Sequence, residues 1–170
     1  RVAEEAAKQS RRGVIPQVEA VRPLASLALD GFDAALLAYE CERETTLKAA
    51  LRAHGGLWFG WSGEQTDQFT GHINFQRAHG VTTATVDLEE QDVQEYYDGY
   101  ANRTLWPLFH YRIDLAEYER DFAGGYQRTN QRFADTVRPL IEADDLVWIQ
   151  DYHMFPLGAE LRQRGCDNRM

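Results

Sequence analysis

Residues 146–149, Leu-Val-Trp-Ile, are an apolar run too short for a helix and rich in β-formers; it breaks off at Asp151, Tyr152 and His153, after which a helical pattern begins. This reads as a short buried strand feeding a helix, the arrangement of an α/β sheet. In such sheets ligands sit beyond the carboxyl ends of the strands, so Asp151 and His153 face a candidate crevice. By residue type alone a plainer reading stands beside that one, with Asp151 capping a turn and His153 packed in a connection.

The rest of the chain alternates in the same way. Residues 2–12 are Ala-rich with Lys8, Arg11 and Arg12 at the end, which suits a helix dipole. Pro16 makes residues 14–21 an edge or a loop, Pro23 opens a short helix to Leu29, and residues 34–39 form a compact apolar strand. A helix capped by Thr45 or Thr46 runs to about His54 and ends at Gly55 and Gly56. Residues 57–61 read as a strand closed by a Ser62-Gly63 turn, residues 64–80 as a hairpin or loop, and residues 82–86 as a strand. Residues 89–100 have helical spacing, with Val93, Tyr97 and Tyr100 on one face, and Pro107 places Trp106 at a bend. A long helix over residues 123–142 carries Tyr126, Phe133, Val137 and Leu140 or Ile141 on one face. After the strand at Leu146, Pro156 leads into a helix ending near Arg164, with Gly165 as its cap. The sum is an α/β fold with a mainly parallel sheet.

Composition narrows the function. At 170 residues, 26% charged and 44% hydrophobic, the chain has the makings of a globular core, and no run is long enough to span a membrane. A soluble, cytoplasmic protein is expected, with Cys41 and Cys166 reduced, no metal site and no cofactor. The net charge of −9 disfavours a general nucleic-acid binder. Residues 1–53 carry 8 basic and 8 acidic residues, whereas residues 54–170 carry 10 and 19. Of the 20 aromatic residues, only Phe32 and Tyr39 precede residue 54, so two segments of different character are expected, 1–53 and 54–170.

The aromatic residues concentrate in three places: residues 55–64 (GGLWFGWSGE), the Tyr96-Tyr97 pair, and residues 104–112 (TLWPLFHYR). Tryptophan offers a flat apolar face and one N–H donor, and tyrosine adds a hydroxyl, which is what a sugar pocket needs. Spacing alone does not assemble them. Residues 55–64, 89–112 (EEQDVQEYYDGYANRTLWPLFHYR) and 144–165 (DDLVWIQDYHMFPLGAELRQRG), however, closely resemble the amino-terminal domain of the trehalose-6-phosphate synthases, in that family's order and at its distances. The resemblance implies one Rossmann-like half of a two-domain GT-B retaining glycosyltransferase, which transfers glucose from UDP-glucose to glucose 6-phosphate. It also implies that Trp61, Tyr97, Trp106 and Asp151 surround the glucose 6-phosphate acceptor. Trp61 is preferred because it precedes the Ser-Gly turn, although Trp58 also fits the motif. Tyr97 would donate its hydroxyl to the phosphate, Trp106 would bound the sugar face or bond through its indole nitrogen, Asp151 would accept from sugar hydroxyls, and His153 would support the crevice. No residue is assigned as general base.

Two departures accompany that resemblance. The family's Gly-Gly loop near its first strand has no counterpart before Gly55, and the chain stops at Met170 where a further strand is expected; it reads as a fragment lacking the donor-binding half and inactive alone. Residues 1–18, 34–40 and 44–48 are similar to the SPOUT-class ribosomal-RNA uridine methyltransferases. That similarity implies a chimera joined near residue 53 that carries a ribosomal-RNA uridine methyltransferase remnant; the alternative is a non-enzymatic chimera in which residues 1–53 complete the same sheet.

Overall fold

The computed structural model describes residues 35–38, as backbone, together with residues 51 and 55–170. The elements expected over residues 2–29, and Cys41, lie outside the described residues. Among the described residues five strands form one sheet: β1 (Ala35–Ala38), β2 (Gly56–Thr66), β3 (Asn74–Ala78), β4 (Val81–Glu89) and β5 (Leu146–Ile149), in the order β3-β4-β2-β1-β5. The pairs β1–β2, β1–β5 and β2–β4 are parallel, and β3 alone runs antiparallel, along the outer edge of β4. From β1 the chain winds through β2 and β4 to one side and returns with β5 on the other. The boundary between β1 and β5 is therefore the switch point of a Rossmann-like sheet, where the strand ends leave a crevice. β1 enters the sheet in register, Ala35 beside both Gly56 and Leu146.

Between β4 and β5 lies a continuous helical stretch: α1 (Glu90–Asp92), a π-helix (Val93–Leu105) and α2 (Trp106–Phe109). Then come α3 (Arg120–Val137) and, after β5, α4 (Leu157–Gln163). The long helix runs from Arg120 to Val137 instead of over residues 123–142: it buries Tyr126, Phe133 and Val137 as expected, while a 3-10 turn over Arg138–Leu140 ends it before Ile141, which is buried but extended. Three other expectations need correction. The Ser62-Gly63 turn is a bulge inside β2, where pairing with β4 shifts register between Trp61 and Gln65 and Gly63 takes φ +90. The helix over residues 93–105 winds with i→i+5 bonds; its fully buried tyrosine is Tyr96, while Tyr97 and Tyr100 are half-buried against the same core. Trp106 is not at a bend: it is helical, φ −57 and ψ −49, and its N–H reaches the Ala101 carbonyl. Pro107 is tolerated because the Arg103 carbonyl, which its ring displaces from the helix, accepts the Glu117 N–H at 2.9 Å, and the Thr104 hydroxyl donates to the Glu117 carbonyl at 2.5 Å.

Aromatic edges organise the core. The Phe133 ring meets Phe59 at 5.8 Å and Tyr96 at 5.9 Å, both nearly perpendicular, and Tyr96 stacks on Tyr126 at 5.9 Å. Such pairs add about 0.5–1.5 kcal/mol each to the burial of the rings. A charged lock fixes the helices. The fully buried Asp92 carboxylate accepts from Arg128 at 2.8 Å and from Arg132, while Glu95 and Glu89 take further contacts with those arginines at 2.7 and 3.2 Å. α3 is thereby held against the start of the π-helix.

Candidate functional site

Beyond the carboxyl end of β5 the chain makes a sharp, side-chain-capped turn. Asp151 has φ 78 and ψ 156, its carboxylate accepts the Tyr152 N–H at 2.6 Å, and its carbonyl accepts the Met154 N–H at 3.2 Å. His153 is buried, with Nδ1 3.8 Å from the Asp151 carboxylate. The turn reading of Asp151 holds, and the residue that caps the turn also stands at the switch point.

Rings connect this turn to the other candidates. Trp61 on β2 meets Tyr97 of the π-helix at 5.4 Å, and Tyr97 stacks on His153 at 5.5 Å and 20°. His153 lies 4.1 Å from the Tyr152 ring, which meets Trp106 at 5.8 Å; Trp106 in turn lies 3.8 Å from His110. Trp61, Tyr97, Trp106 and Asp151 therefore share one continuous wall, joined through His153 and Tyr152. Trp58 does not belong to it. Three residues from Trp61 on an alternating strand, it turns to the opposite face and packs with Leu51 and Val81.

The wall's chemistry follows from these contacts. The Trp61 indole N–H donates to the Glu64 carbonyl at 2.8 Å, so Trp61 presents a face and not a donor. Trp106 is half exposed and presents a second face. Asp151 supplies an acceptor carboxylate, and Tyr97 a phenol. Flat apolar faces beside a carboxylate suit a polyol ring, whose C–H edges pack on indole while its hydroxyls donate to oxygen. Residue patterns left Tyr152 unassigned, although its ring links two candidates and its hydroxyl donates to Asn102 Oδ1 at 3.4 Å. Its place beside Asp151 was the available signal. Among the described residues no cluster of His, Cys, Asp or Glu is arranged to hold a metal ion, and no helix is long and apolar enough to cross a membrane.

The mainly parallel sheet and its switch point define an α/β protein with the fold of one GT-B half. The chain belongs to glycosyltransferase family 20, whose model matches residues 37–170. It is 49% identical over 121 residues to the trehalose-6-phosphate synthase of Enterobacter sp. (strain 638), covering 71% of this chain and 25% of that protein. Among solved structures it is similar to an alpha,alpha-trehalose-phosphate synthase (UDP-forming) from Burkholderia vietnamiensis, with 36% identity, TM-score 0.75, and coverage of 81% of this chain and 32% of that one. The synthase from Burkholderia xenovorans in complex with glucose-6-phosphate matches at 35% identity and TM-score 0.68, over 80% and 32% of the two chains. The chain thus spans about a quarter of the length of the curated relatives it matches. Because the family match begins at residue 37, a methyltransferase-derived segment joined near residue 53 finds no support, and β1 falls at the start of the glycosyltransferase match.

Proposed function

We propose that residues 55–170 form the acceptor wall of a retaining glucosyltransferase that moves glucose from UDP-glucose to glucose 6-phosphate, giving trehalose 6-phosphate. The observation that carries this reading is the unbroken contact chain from Trp61 through Tyr97 and His153 to Asp151 and on to Trp106, at the switch point of a sheet from this family. The acceptor glucose lies against the indole faces with its hydroxyls donating to Asp151. Its phosphate, which the carboxylate repels, sits away from Asp151 and takes the Tyr97 phenol as donor. The relative solved with glucose-6-phosphate and the UDP-forming description of another support both substrates.

Calorimetric titration with glucose 6-phosphate, alone and with UDP present, tests the assignment. Saturable binding is expected, weakened at least about tenfold by Asp151→Asn or Tyr97→Phe, as for loss of a charge-assisted or phosphate-directed hydrogen bond. Binding that survives both substitutions unchanged, or no binding by the parent, refutes it.

A further inference from the structure

Asp151 holds a backbone conformation, φ 78 and ψ 156, that is close to being reserved for glycine. A non-glycine residue stays there only where its surroundings over-determine the turn. Its own bonds to Tyr152 and Met154 are local and would survive small rotations of the turn. The external hold comes from α3. The Tyr126 hydroxyl donates to the Tyr152 carbonyl at 2.5 Å, and Asn130 Nδ2 donates to the His153 carbonyl at 3.1 Å and to the Tyr126 carbonyl at 2.9 Å. Tyr126 and Asn130 are four residues apart on one helical face, and both are buried. They grip the two carbonyls that immediately follow Asp151. Burial pushes the Tyr126 phenol well above its ordinary range, so it remains a donor at any working pH. α3 is itself tied through Arg128 to Glu95 of the π-helix, and through Arg128 and Arg132 to Asp92 just before it, so the grip refers Asp151 to the same frame that carries Tyr97.

From this geometry we infer that Tyr126 and Asn130 are positioning residues, which set the aim of the Asp151 carboxylate by clamping the backbone of Tyr152 and His153 while touching no substrate themselves. The inference rests on the acceptor role proposed for Asp151. Its two consequences are separable. Without ligand, Tyr126→Phe removes one hydroxyl and leaves the ring's packing in place. Hydrogen exchange at the Tyr152 and Met154 amides is expected to accelerate several-fold, while amides inside α4, such as Leu161, keep their rates. Equal acceleration everywhere, or none at the turn, overturns the clamp.

With glucose 6-phosphate, Tyr126→Phe is expected to weaken binding about tenfold in the parent and to have no further effect in an Asp151→Asn background, because the contact it aims is already lost. The same loss in both backgrounds marks Tyr126 as merely structural and overturns the inference. Asn130→Asp puts a carboxylate against two carbonyls and is expected to reproduce the turn-specific exchange. A parent that binds no glucose 6-phosphate sinks the acceptor reading alone, and the exchange experiment still decides the clamp.

Discussion

Asp92 offers the most demanding test of how the helical layer is held. Its carboxylate is fully buried, and it accepts from both Arg128 and Arg132. Removing one partner of a buried ion pair costs roughly 3–5 kcal/mol, because the remaining charge is left uncompensated. Here the two arginine side chains stay 35% and 25% exposed and keep Glu95 and Glu89 as partners, which moves the loss for Asp92→Ala to about 2–3 kcal/mol. For a chain of this size that is a fall of about 5–10 °C in the thermal midpoint, read by circular dichroism or differential scanning fluorimetry. Since the lock is buried, half-molar salt should leave most of the difference in place. Replacing all three groups, Asp92→Leu with Arg128→Met and Arg132→Met, should not restore the parent's stability, because Glu95 and Glu89 are then left without their arginine partners. If Asp92→Ala melts within about 2 °C of the parent, or if salt erases the gap, the charges are surface decoration and the reasoning fails.

Two further outcomes follow from contacts in the same layer. Gly124 and Gly125 are neighbours in α3 with opposite surroundings: a β-carbon at Gly124 meets nothing within 4 Å, whereas one at Gly125 collides with the Glu95 side chain. Gly124→Ala should therefore raise stability by about 0.5–1 kcal/mol, while Gly125→Ala should lower it by about 1–3 kcal/mol; denaturant midpoints that move the same way contradict this. The Glu89 carboxyl is held below its ordinary value of 4.5, chiefly by the Phe69 N–H and, against the opposing cost of burial, by Arg132. A depressed folded pKa means stability that is present above the ordinary value and lost as pH falls through the folded one. Glu89→Gln should flatten the acid limb of a melting-temperature profile below pH 4.5, and parallel limbs in both proteins would count against the contact.

What the sequence discloses here depends on how local the cause is. β5 and α3 were legible because each carries a local pattern, the first a short apolar run of β-formers around Val147 and the second a Tyr126–Phe133–Val137 face at helical spacing. The π-helix was not, because a face of Val93, Tyr97 and Tyr100 at helical spacing carries no sign of i→i+5 winding or of the full burial of Tyr96. Pro107 misled for a different reason: its helix-breaking effect is offset by Glu117, ten residues further on, which no local rule anticipates. The candidates Trp61, Tyr97, Trp106 and Asp151 were found through the family's motifs. What joins them, the rings of Tyr152 and His153 and the grip of Tyr126 and Asn130, depends on pairings 23 to 56 residues apart that have no pattern in the chain.

The aromatic wall is also a built-in optical probe. Of the chain's four tryptophans, Trp61 and Trp106 stand in the wall, and Trp58 and Trp148 pack with Leu51 and Val81. Each wall indole has a tyrosine ring within 6 Å, at 5.4 Å for Trp61 and 5.8 Å for Trp106, so ultraviolet energy absorbed by Tyr97 or Tyr152 is passed on to it. Light emitted by half of the protein's indoles thus originates where sugar would dock, and Trp58→Phe with Trp148→Phe silences the other half. Occupancy of the crevice becomes a colour and intensity change in the unlabelled chain, measurable without turnover.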